Sequence, residues 1–283
     1  MVPSTSSDGQ ADGLKSYENI LVEQINIGLA ELQRPASGLF LSGLSAGLDI
    51  GFGPLLMAVM TGLMSGSLPK PATELLMANM YSIGFIFVIL GRSELFTEHT
   101  TLAVLPVLDK RASLTSLGRL WVVVFVANVL GGALFAAFAV TIAPQLGIAH
   151  AAAFTEIAKT LVKHDFWILV GSGVFAGWLM GLLSWLVTAA RDTVSKVLII
   201  WIVTTAIGLA HLPHSIAGSV EVLMGLFLSP EITAFDYGRF MLAATIGNAI
   251  GGVFFVALLK YGHVTRNTDE EEMETAPNPA ESE

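Results

Sequence analysis

The chain has no cysteine, which excludes disulfide bridges and thiolate metal sites. Charged residues are scarce: Asp, Glu, Lys and Arg make up 13% of the 283 residues, about half the share in a typical soluble domain. Basic patches with interleaved aromatic side chains are also missing, so no nucleic-acid partner is expected. Hydrophobic residues account for 53% of the chain. These features predict an integral membrane protein.

Long apolar stretches with few charges run through the chain. About 20 apolar residues are needed to cross the roughly 30 Å of hydrocarbon in a bilayer. The stretches predict six spans, at about 37–63, 75–108, 115–143, 166–190, 195–228 and 236–260. The second and fifth are too long for one simple helix, and polar residues interrupt them at Gly91–His99 and His211–Ser215. We therefore expect an all-α fold with two broken helices.

The second half of the chain repeats the first. The pattern Ser42-Gly43-x-x-Ala46-Gly47-x-x-x-Gly51 returns as Ser172-Gly173-x-x-Ala176-Gly177-x-x-x-Gly181. Arg119 and Asn128 have the same spacing as Arg239 and Asn248. Three spans per half predict inverted repeats, about 37–143 and 166–260, in an aquaporin-like architecture whose glycine rows allow close helix packing. Broken helices in repeated halves indicate a transport site near the bilayer midplane.

The distribution of basic residues predicts the orientation. Nine lie outside the spans or near their ends on one face: Lys15, Arg34, Lys110, Arg111, Arg119, Arg191, Lys196, Lys260 and Arg266. Four lie outside the spans or near their ends on the other face: Lys70, Lys159, Lys163 and Arg239. Because cytoplasmic loops are enriched in Lys and Arg, both termini are predicted to be cytoplasmic in a multi-pass inner-membrane protein.

Both ends of the chain are polar. Residues 1–35 are predicted to form a cytoplasmic arm in which 14–33 is an amphipathic helix, lying on the membrane or against a neighbouring subunit. A solvated arm is the alternative. Residues 36–262 form the six-span domain. Residues 263–283 hold much of the net charge of −9 and have the composition of a disordered acidic cytoplasmic tail.

The broken helices carry a family resemblance. Ser93-Glu94-Leu95-Phe96-Thr97, which follows an apolar helix containing Tyr81 and Phe85, resembles the first broken helix of the formate/nitrite transporter family. His214-Ser215-Ile216-Ala217 resembles the second break of that family, and the similarity covers roughly 20–260. The contexts Leu95-Phe96-Thr97-Glu98 and Gly218-Ser219-Val220-Glu221 are most similar to its YfdC-like branch.

The resemblance implies a homopentamer with one pore per protomer for small monovalent anions such as formate, nitrite or hydrosulfide, or for their neutral acids. His214 would give a proton to the anion, with Thr97 as its polar partner. The outer constriction would comprise Tyr81 and Ile207, the inner one Phe85, Phe96 and Met180, and Lys163 would attract anions in the outer vestibule. No cofactor or metal is implied, and lipid surrounds the assembly.

A proton-donating histidine at this implied site agrees with the cost of moving an anion through an apolar region. A bare anion pays heavily to cross a dry apolar slit, whereas its neutral acid pays far less. Histidine is the side chain that exchanges protons near neutral pH. Simpler roles stay open for both central residues: His214 would only satisfy the broken backbone, and Thr97 would only cap a helix.

The chain departs from the family pattern at four positions. Glycines Gly177 and Gly218 stand where better-known members carry asparagines, while Glu221 and Asp49 add carboxyl groups. If these carboxylates face the pore ionised, they repel anions. Two other functions are therefore kept open: a pore for a neutral solute or weak acid, and a non-conducting membrane scaffold or sensor. No catalytic constellation is present, so an enzyme is not expected.

Overall fold

A computed structural model describes residues 15–64 and 66–266, and all regular structure in these ranges is helical. The helices are α1 Tyr17–Gln33, α2 Ala36–Ile50, α3 Phe52–Met64, α4 Lys70–Leu90, α5 Phe96–Leu102, α6 Leu105–Leu108, α7 Leu114–Ile142, α8 Ala151–Val162, α9 Phe166–Ala189, α10 Thr193–Leu209, α11 Ser215–Leu228 and α12 Ala234–Gly252. A π-helical segment, Val253–Leu258, continues α12, and the helix runs on to Arg266. The first four residues of the predicted disordered tail, 263–266, are thus helical, whereas residues 267–283 of that tail and the first 14 residues of the predicted arm lie outside the described residues.

Within the described residues, five helical segments are long and apolar enough to cross a membrane. They are Ala36–Met64, Lys70–Leu90, Leu114–Ile142, Phe166–Ala189 and Ala234–Arg266. The predicted span 195–228 consists instead of two shorter apolar helices, α10 and α11. Neither reaches about 20 residues, so only the two together have the length of a span. The count of six spans therefore stays a prediction.

The two predicted breaks are present and begin in the same way. After α4 and α10 the chain turns through Arg92 and His211, whose φ angles are 56° and 49°. The next residue in each case donates a backbone hydrogen bond to the last turn of the preceding helix, Ser93 to Val88 at 3.0 Å and Leu212 to Ile207 at 3.1 Å. This is the Schellman ending, which satisfies helix carbonyls but normally uses glycine because the left-handed conformation strains other residues.

The first break is held by a buried asparagine of α7. Asn128 donates from Nδ2 to the carbonyl oxygens of Gly43 and Glu94, each at 2.8 Å. Its Oδ1 accepts the backbone N–H of Phe96 at 2.9 Å. One amide side chain thus satisfies the polar backbone on both sides of the break and ties it to α2, where lipid could supply no partner.

The second break is held in the same way by Asn248 of α12. Its Nδ2 donates to the carbonyl oxygens of Gly173 at 2.9 Å and Pro213 at 2.8 Å, and its Oδ1 accepts the N–H of Ser215 at 2.8 Å. The three contacts correspond one by one to those of Asn128. The repeated asparagine in the sequence therefore marks a repeated hydrogen-bond pattern.

The repeated arginines also have matching roles, and they reveal a helix that the sequence analysis missed. Arg119 donates to the carbonyl of Leu32 at the end of α1, at 2.6 Å. Arg239 donates to the carbonyl of Val162 at the end of α8, at 2.5 Å. Helix α8 lies in what was expected to be a connection between spans. Each group of spans is thus preceded by a peripheral helix that an arginine holds in place.

Helix α1 occupies the segment predicted to be an amphipathic helix, but it packs against its own protomer. Gln24 is fully buried and donates to Ser184 Oγ at 3.1 Å and Thr188 Oγ1 at 3.2 Å on α9. Gly28 lies directly against the backbone of Leu102 at the end of α5. The apolar face of this helix therefore covers the inner end of the first break, rather than facing only membrane or a neighbouring subunit.

Glycine allows the two closest helix approaches. A Cβ atom on Gly47 of α2 would overlap the backbone of Asn128 on α7, and one on Gly177 of α9 would overlap the backbone of Asn248 on α12. The glycine rows therefore bring the backbones of α2 and α9 next to the two asparagines. This agrees with the close packing predicted from the glycine rows.

We expect replacement of Asn128 or Asn248 by alanine to lower the stability of the folded protein by at least about 2 kcal/mol, because each change leaves buried backbone groups without partners. Thermal unfolding in detergent, followed by size-exclusion chromatography, measures the effect. Asn79→Ala is the matched control, since Asn79 is partly exposed on α4. Equal effects at all three positions would contradict the proposed role of the buried pair.

Candidate functional site

The two breaks place a histidine and a threonine in contact in the protein interior. Thr97 lies in the first turn of α5, and His214 immediately precedes α11. Thr97 Oγ1 is 2.7 Å from His214 Nε2, and the exposures of the two residues are 0% and 1%. The side chains that the sequence predicted to be partners are therefore hydrogen-bonded, although they are 117 positions apart.

The other ring nitrogen of His214 fixes its tautomer. His214 Nδ1 accepts the backbone N–H of Ala217 at 3.1 Å, which caps α11. A neutral imidazole with an accepting Nδ1 carries its hydrogen on Nε2. The hydrogen-bond network thus assigns Nε2–H as the donor to Thr97 Oγ1. His214 thus caps the broken helix and also contacts Thr97, and its role as proton donor stays a prediction.

Aromatic rings of α4 lie next to this pair. The Phe85 ring is 5.0 Å from the His214 ring and perpendicular to it, and the Tyr81 ring is 5.1 Å from that of Phe85. Both aromatic residues are buried. Tyr81 also packs against Gly208, beside the buried Ile207 near the end of α10. The predicted outer constriction thus lies in one region of the structure.

The other predicted constriction residues are also buried, but the Phe96 ring packs against α7 and not against Phe85. The Phe96 ring is 5.0 Å from the ring of Phe125 and 5.9 Å from that of Trp121, both on α7. Met180 is buried in α9. The structure does not bring Phe96 and Phe85 into ring contact. A gating role for these residues stays a prediction.

A polar cavity of about 490 Å³ opens beside α8, and we name it the Lys163 chamber. It is lined by residues of α3, α4, α8, the end of α10 and Glu221 of α11. Its ionisable members are Lys70, Glu74, Glu156, Lys163, His211 and Glu221. Lys163 is one of the residues that line this chamber, and its place and role in an outer vestibule stay predictions.

A second cavity of about 580 Å³, the Arg34 chamber, lies between α1, the end of α4, α5 and α9. Its ionisable members include Glu31, Arg34, Arg92, Glu94, Glu98, His99 and Lys196. It and the Lys163 chamber have no lining residue in common. Charged side chains therefore surround two separate cavities, while His214 and Thr97 lie in neither lining.

The Arg34 chamber contains an ionic cluster that the sequence analysis missed. Arg34 contacts both Glu31 and Glu94 at 2.6 Å, and Glu94 also contacts His99 Nε2. His99 is 1% exposed. Glu31 and Arg34 have a helical spacing of three residues, but Glu94 lies 60 positions from Arg34, so sequence patterns gave no signal for the cluster as a whole.

The pKa of Glu31, on the peripheral helix α1, is subject to opposing effects from its neighbours in the cluster. Burial raises the pKa of the Glu31 carboxyl, and the neighbouring Glu94 carboxylate raises it further. The Arg34 guanidinium opposes both effects, and its hydrogen bond to Glu31 raises the pKa of Arg34. Arg34 thus holds two carboxyl groups together beside the first break.

The two acidic residues singled out in the sequence have different positions. Glu221 is 5% exposed and lines the Lys163 chamber. Asp49 lines neither chamber, and its carboxylate accepts the Ser45 hydroxyl at 3.1 Å on its own helix, α2. Of the pair, only Glu221 has access to one of the two cavities.

Comparison with known proteins identifies the family. Residues 18–262 match the family described as formate/nitrite transporter. The chain belongs to this family. It is 32% identical over 257 residues to the inner membrane protein YfdC of Escherichia coli strain K12, with 90% of this chain and 81% of that protein aligned. A probable formate transporter of Methanothermobacter thermautotrophicus is 31% identical over 253 residues, with 82% and 91% aligned.

Solved structures show the same fold. An FNT family ion channel superposes with a TM-score of 0.74 over 87% of this chain and 98% of its own, at 22% identity. A pentameric formate channel with formate bound gives a TM-score of 0.69 over 81% and 98%, also at 22% identity. The family consists of membrane transporters and channels, so this member is a transport protein and not an enzyme.

Packing explains why this family member has glycines where asparagines were expected. A Cβ atom on Gly177 would overlap the backbone of Asn248. A Cβ atom on Gly218 would lie 2.5 Å from Cζ of Phe240. An amide side chain at Gly177 therefore requires a shift of the α12 backbone, and one at Gly218 requires the Phe240 ring to move.

We expect Gly177→Ala to destabilise the folded protein by about 1–3 kcal/mol through overpacking against the α12 backbone. Gly171→Ala on the same helix is the control, because a Cβ atom there meets nothing within 4 Å. That change should be neutral or stabilising by up to about 1 kcal/mol, since alanine has the higher helix propensity. Thermal unfolding of both variants in detergent measures the difference, and a tolerated Gly177→Ala would contradict this account of the packing.

Proposed function

We propose that the protein is a channel-like, proton-linked transporter of small monovalent anions of the formate, nitrite and hydrosulfide class, with a pore in each protomer. The contact that carries this proposal is the buried hydrogen bond between Thr97 and His214. It lies where two broken helices begin, in a chain with one polar chamber beside α8 and another beside α1. The names of the formate transporter relative and of the formate-bound channel of the same fold support the choice of substrate.

The proposed chemistry follows from the surroundings of His214. An anion entering the apolar region around Phe85 loses its hydration, so taking up a proton lowers the cost of its passage. His214 supplies that proton when it is doubly protonated, and a proton from solution then restores it. A proton on Nδ1 would displace the Ala217 N–H contact, which destabilises the imidazolium and favours release of its proton to the anion.

The proposed assembly is a homopentamer of six-span protomers in the inner membrane, with inverted repeats and both termini in the cytoplasm. The pentameric formate channel of the same fold and the inner-membrane location in the name of YfdC support this arrangement. Large apolar side chains such as Trp167 and Phe138 are exposed on the surface of the spans. In the assembly they face lipid or a neighbouring protomer.

The orientation can be tested because the chain has no cysteine of its own. We expect a cysteine at Ser67 to react with a membrane-impermeant maleimide in intact cells. A cysteine at Arg111 should react only after the membrane is permeabilised. Both positions are exposed. The reverse labelling pattern would overturn the proposed orientation.

Transport is tested by formate and nitrite flux into proteoliposomes at several external pH values. We expect wild-type flux to rise as the pH falls, because protonation accompanies passage. His214→Asn should lose that pH response, since asparagine does not titrate. His150→Asn is the matched control, because His150 is exposed before α8.

Two results would change the proposal. Unaltered pH-dependent flux in His214→Asn would retain transport but remove His214 from the proton step. Absence of anion flux in correctly assembled wild-type protein would favour the pore for a neutral solute or weak acid, or the non-conducting scaffold. Water or small-solute permeation that is insensitive to pH separates those two alternatives.

A further inference from the structure

One carboxyl group in the Lys163 chamber has no part in the chemistry described so far. Glu221 lies in α11, seven residues after His214, and lines the chamber although 95% of its surface is buried. Within residues 15–64 and 66–266, its side chain forms no hydrogen bond or ion pair. An unpartnered carboxyl is thus directed into a cavity on the proposed route of an anion.

The other carboxyl groups of this chamber are paired. Glu74 contacts Lys70 at 3.7 Å, and its side chain is 40% exposed. Glu156 contacts Lys159 at 3.0 Å, and its side chain is 69% exposed. Water and lysine satisfy these two groups, whereas Glu221 has neither ample water nor a cation. The lack of a partner is therefore particular to Glu221 and not general to the chamber.

The ionisable groups that share the chamber with Glu221 come from several elements. Helix α4 contributes Lys70 and Glu74, α8 contributes Glu156 and its C-cap Lys163, and the second break contributes His211. Tyr81 of α4 is buried and outside the chamber lining. Helix α3 adds only Met57 and Thr61 to the chamber lining. The lysines draw an anion into the cavity, but they leave the Glu221 carboxyl free to contact it.

The chemical consequence follows from the cost of burying charge. A carboxylate without a hydrogen bond or a cation is unfavourable in such a place, so the neutral acid with its O–H donor is the favoured form. When a second carboxylate arrives, the pair retains one shared proton, because two negative charges repel each other at close range. A small carboxylate substrate would complete such a pair.

We propose that Glu221 is the proton-loading residue for small anions that present two oxygen atoms, such as monocarboxylates, and enter through the Lys163 chamber. The O–H bond of the Glu221 carboxylic acid breaks, and the proton passes to a substrate oxygen. The neutral acid moves on past Tyr81, and the remaining Glu221 carboxylate takes a proton from the solution that fills the chamber. This inference rests on the proposed proton-linked transport. A substrate protonated at Glu221 takes no second proton from His214, which serves anions that reach it unprotonated.

The kind of anion that Glu221 serves follows from its own chemistry. The Glu221 side chain and a carboxylate substrate carry the same functional group, so burial penalises the charge on either one and a proton moves between them at little cost. Both groups also present two oxygen atoms in a plane. Nitrite shares this arrangement of oxygen atoms and is also the anion of a weak acid, whereas hydrosulfide has a single sulfur atom, so Glu221 should serve formate and nitrite in preference to hydrosulfide.

The test compares formate and nitrite flux in proteoliposomes for wild type, Glu221→Gln and Glu156→Gln, with the pH varied on the side of the Lys163 chamber. Glutamine keeps the size of the side chain but has no acidic proton. We expect Glu221→Gln to lower formate and nitrite flux about a hundredfold, the low end for losing an acid–base group. Glu156→Gln, the same substitution at an exposed position of the same chamber, should stay within about twofold of wild type.

A second variant guards against misfolding. Glu221→Asp keeps the proton donor and should restore part of the formate flux, and size-exclusion chromatography checks assembly of each variant. Wild-type formate flux in Glu221→Gln, or no more formate flux in Glu221→Asp than in Glu221→Gln, would overturn the inference while leaving the proposed function intact. Increased anion flux in Glu221→Gln would show a repelling carboxylate instead. Absence of anion flux in wild type would overturn both the inference and the proposed function.

Discussion

The rest of the structure depends on how the backbone N–H and C=O groups find hydrogen-bond partners where two helices break inside the membrane. Hydrocarbon offers no hydrogen-bond partner, so broken helices are stable only where protein supplies one. Asn128 and Asn248 meet this need with the same three contacts each. Their backbones are in turn approached by Gly47 and Gly177, which have no side chain to keep the neighbouring helix away. The close packing of the helices and the hydrogen bonding of the broken backbone therefore depend on the same residues.

The repeated scaffold carries chemistry that is not repeated. The asparagine contacts pair Glu94 with Pro213 and Phe96 with Ser215, so His214 occupies the position that Leu95 has in the other break. Leu95 is apolar and His214 is titratable, so only the second break has an imidazole at this position. The charged groups are likewise unequal, because a network around Arg34 lies beside the first break and the unpaired Glu221 lies beyond the second.

Much of the fold follows from local features of the sequence. Apolar length and polar interruption predicted most spans and both breaks because these properties belong to continuous segments. The repeated Arg-to-Asn spacing was used only as a sign of the repeat, and the structure then showed that these side chains hold the breaks and the peripheral helices. Helix α8 was missed because it is short and lies between long apolar stretches. The length criterion likewise failed for α10 and α11, since neither helix has the length of a span.

The sequence alone determined that this chain is a membrane protein with two polar breaks and a histidine at one of them, because composition and order are local properties. Only the tertiary structure decided that His214 meets Thr97, that Glu94 meets Arg34 and His99, and that Glu221 enters a cavity while Asp49 does not. These pairings depend on which faces of distant helices turn toward each other. Close glycine packing and the asparagine contacts set that rotation, and no spacing along the chain encodes it.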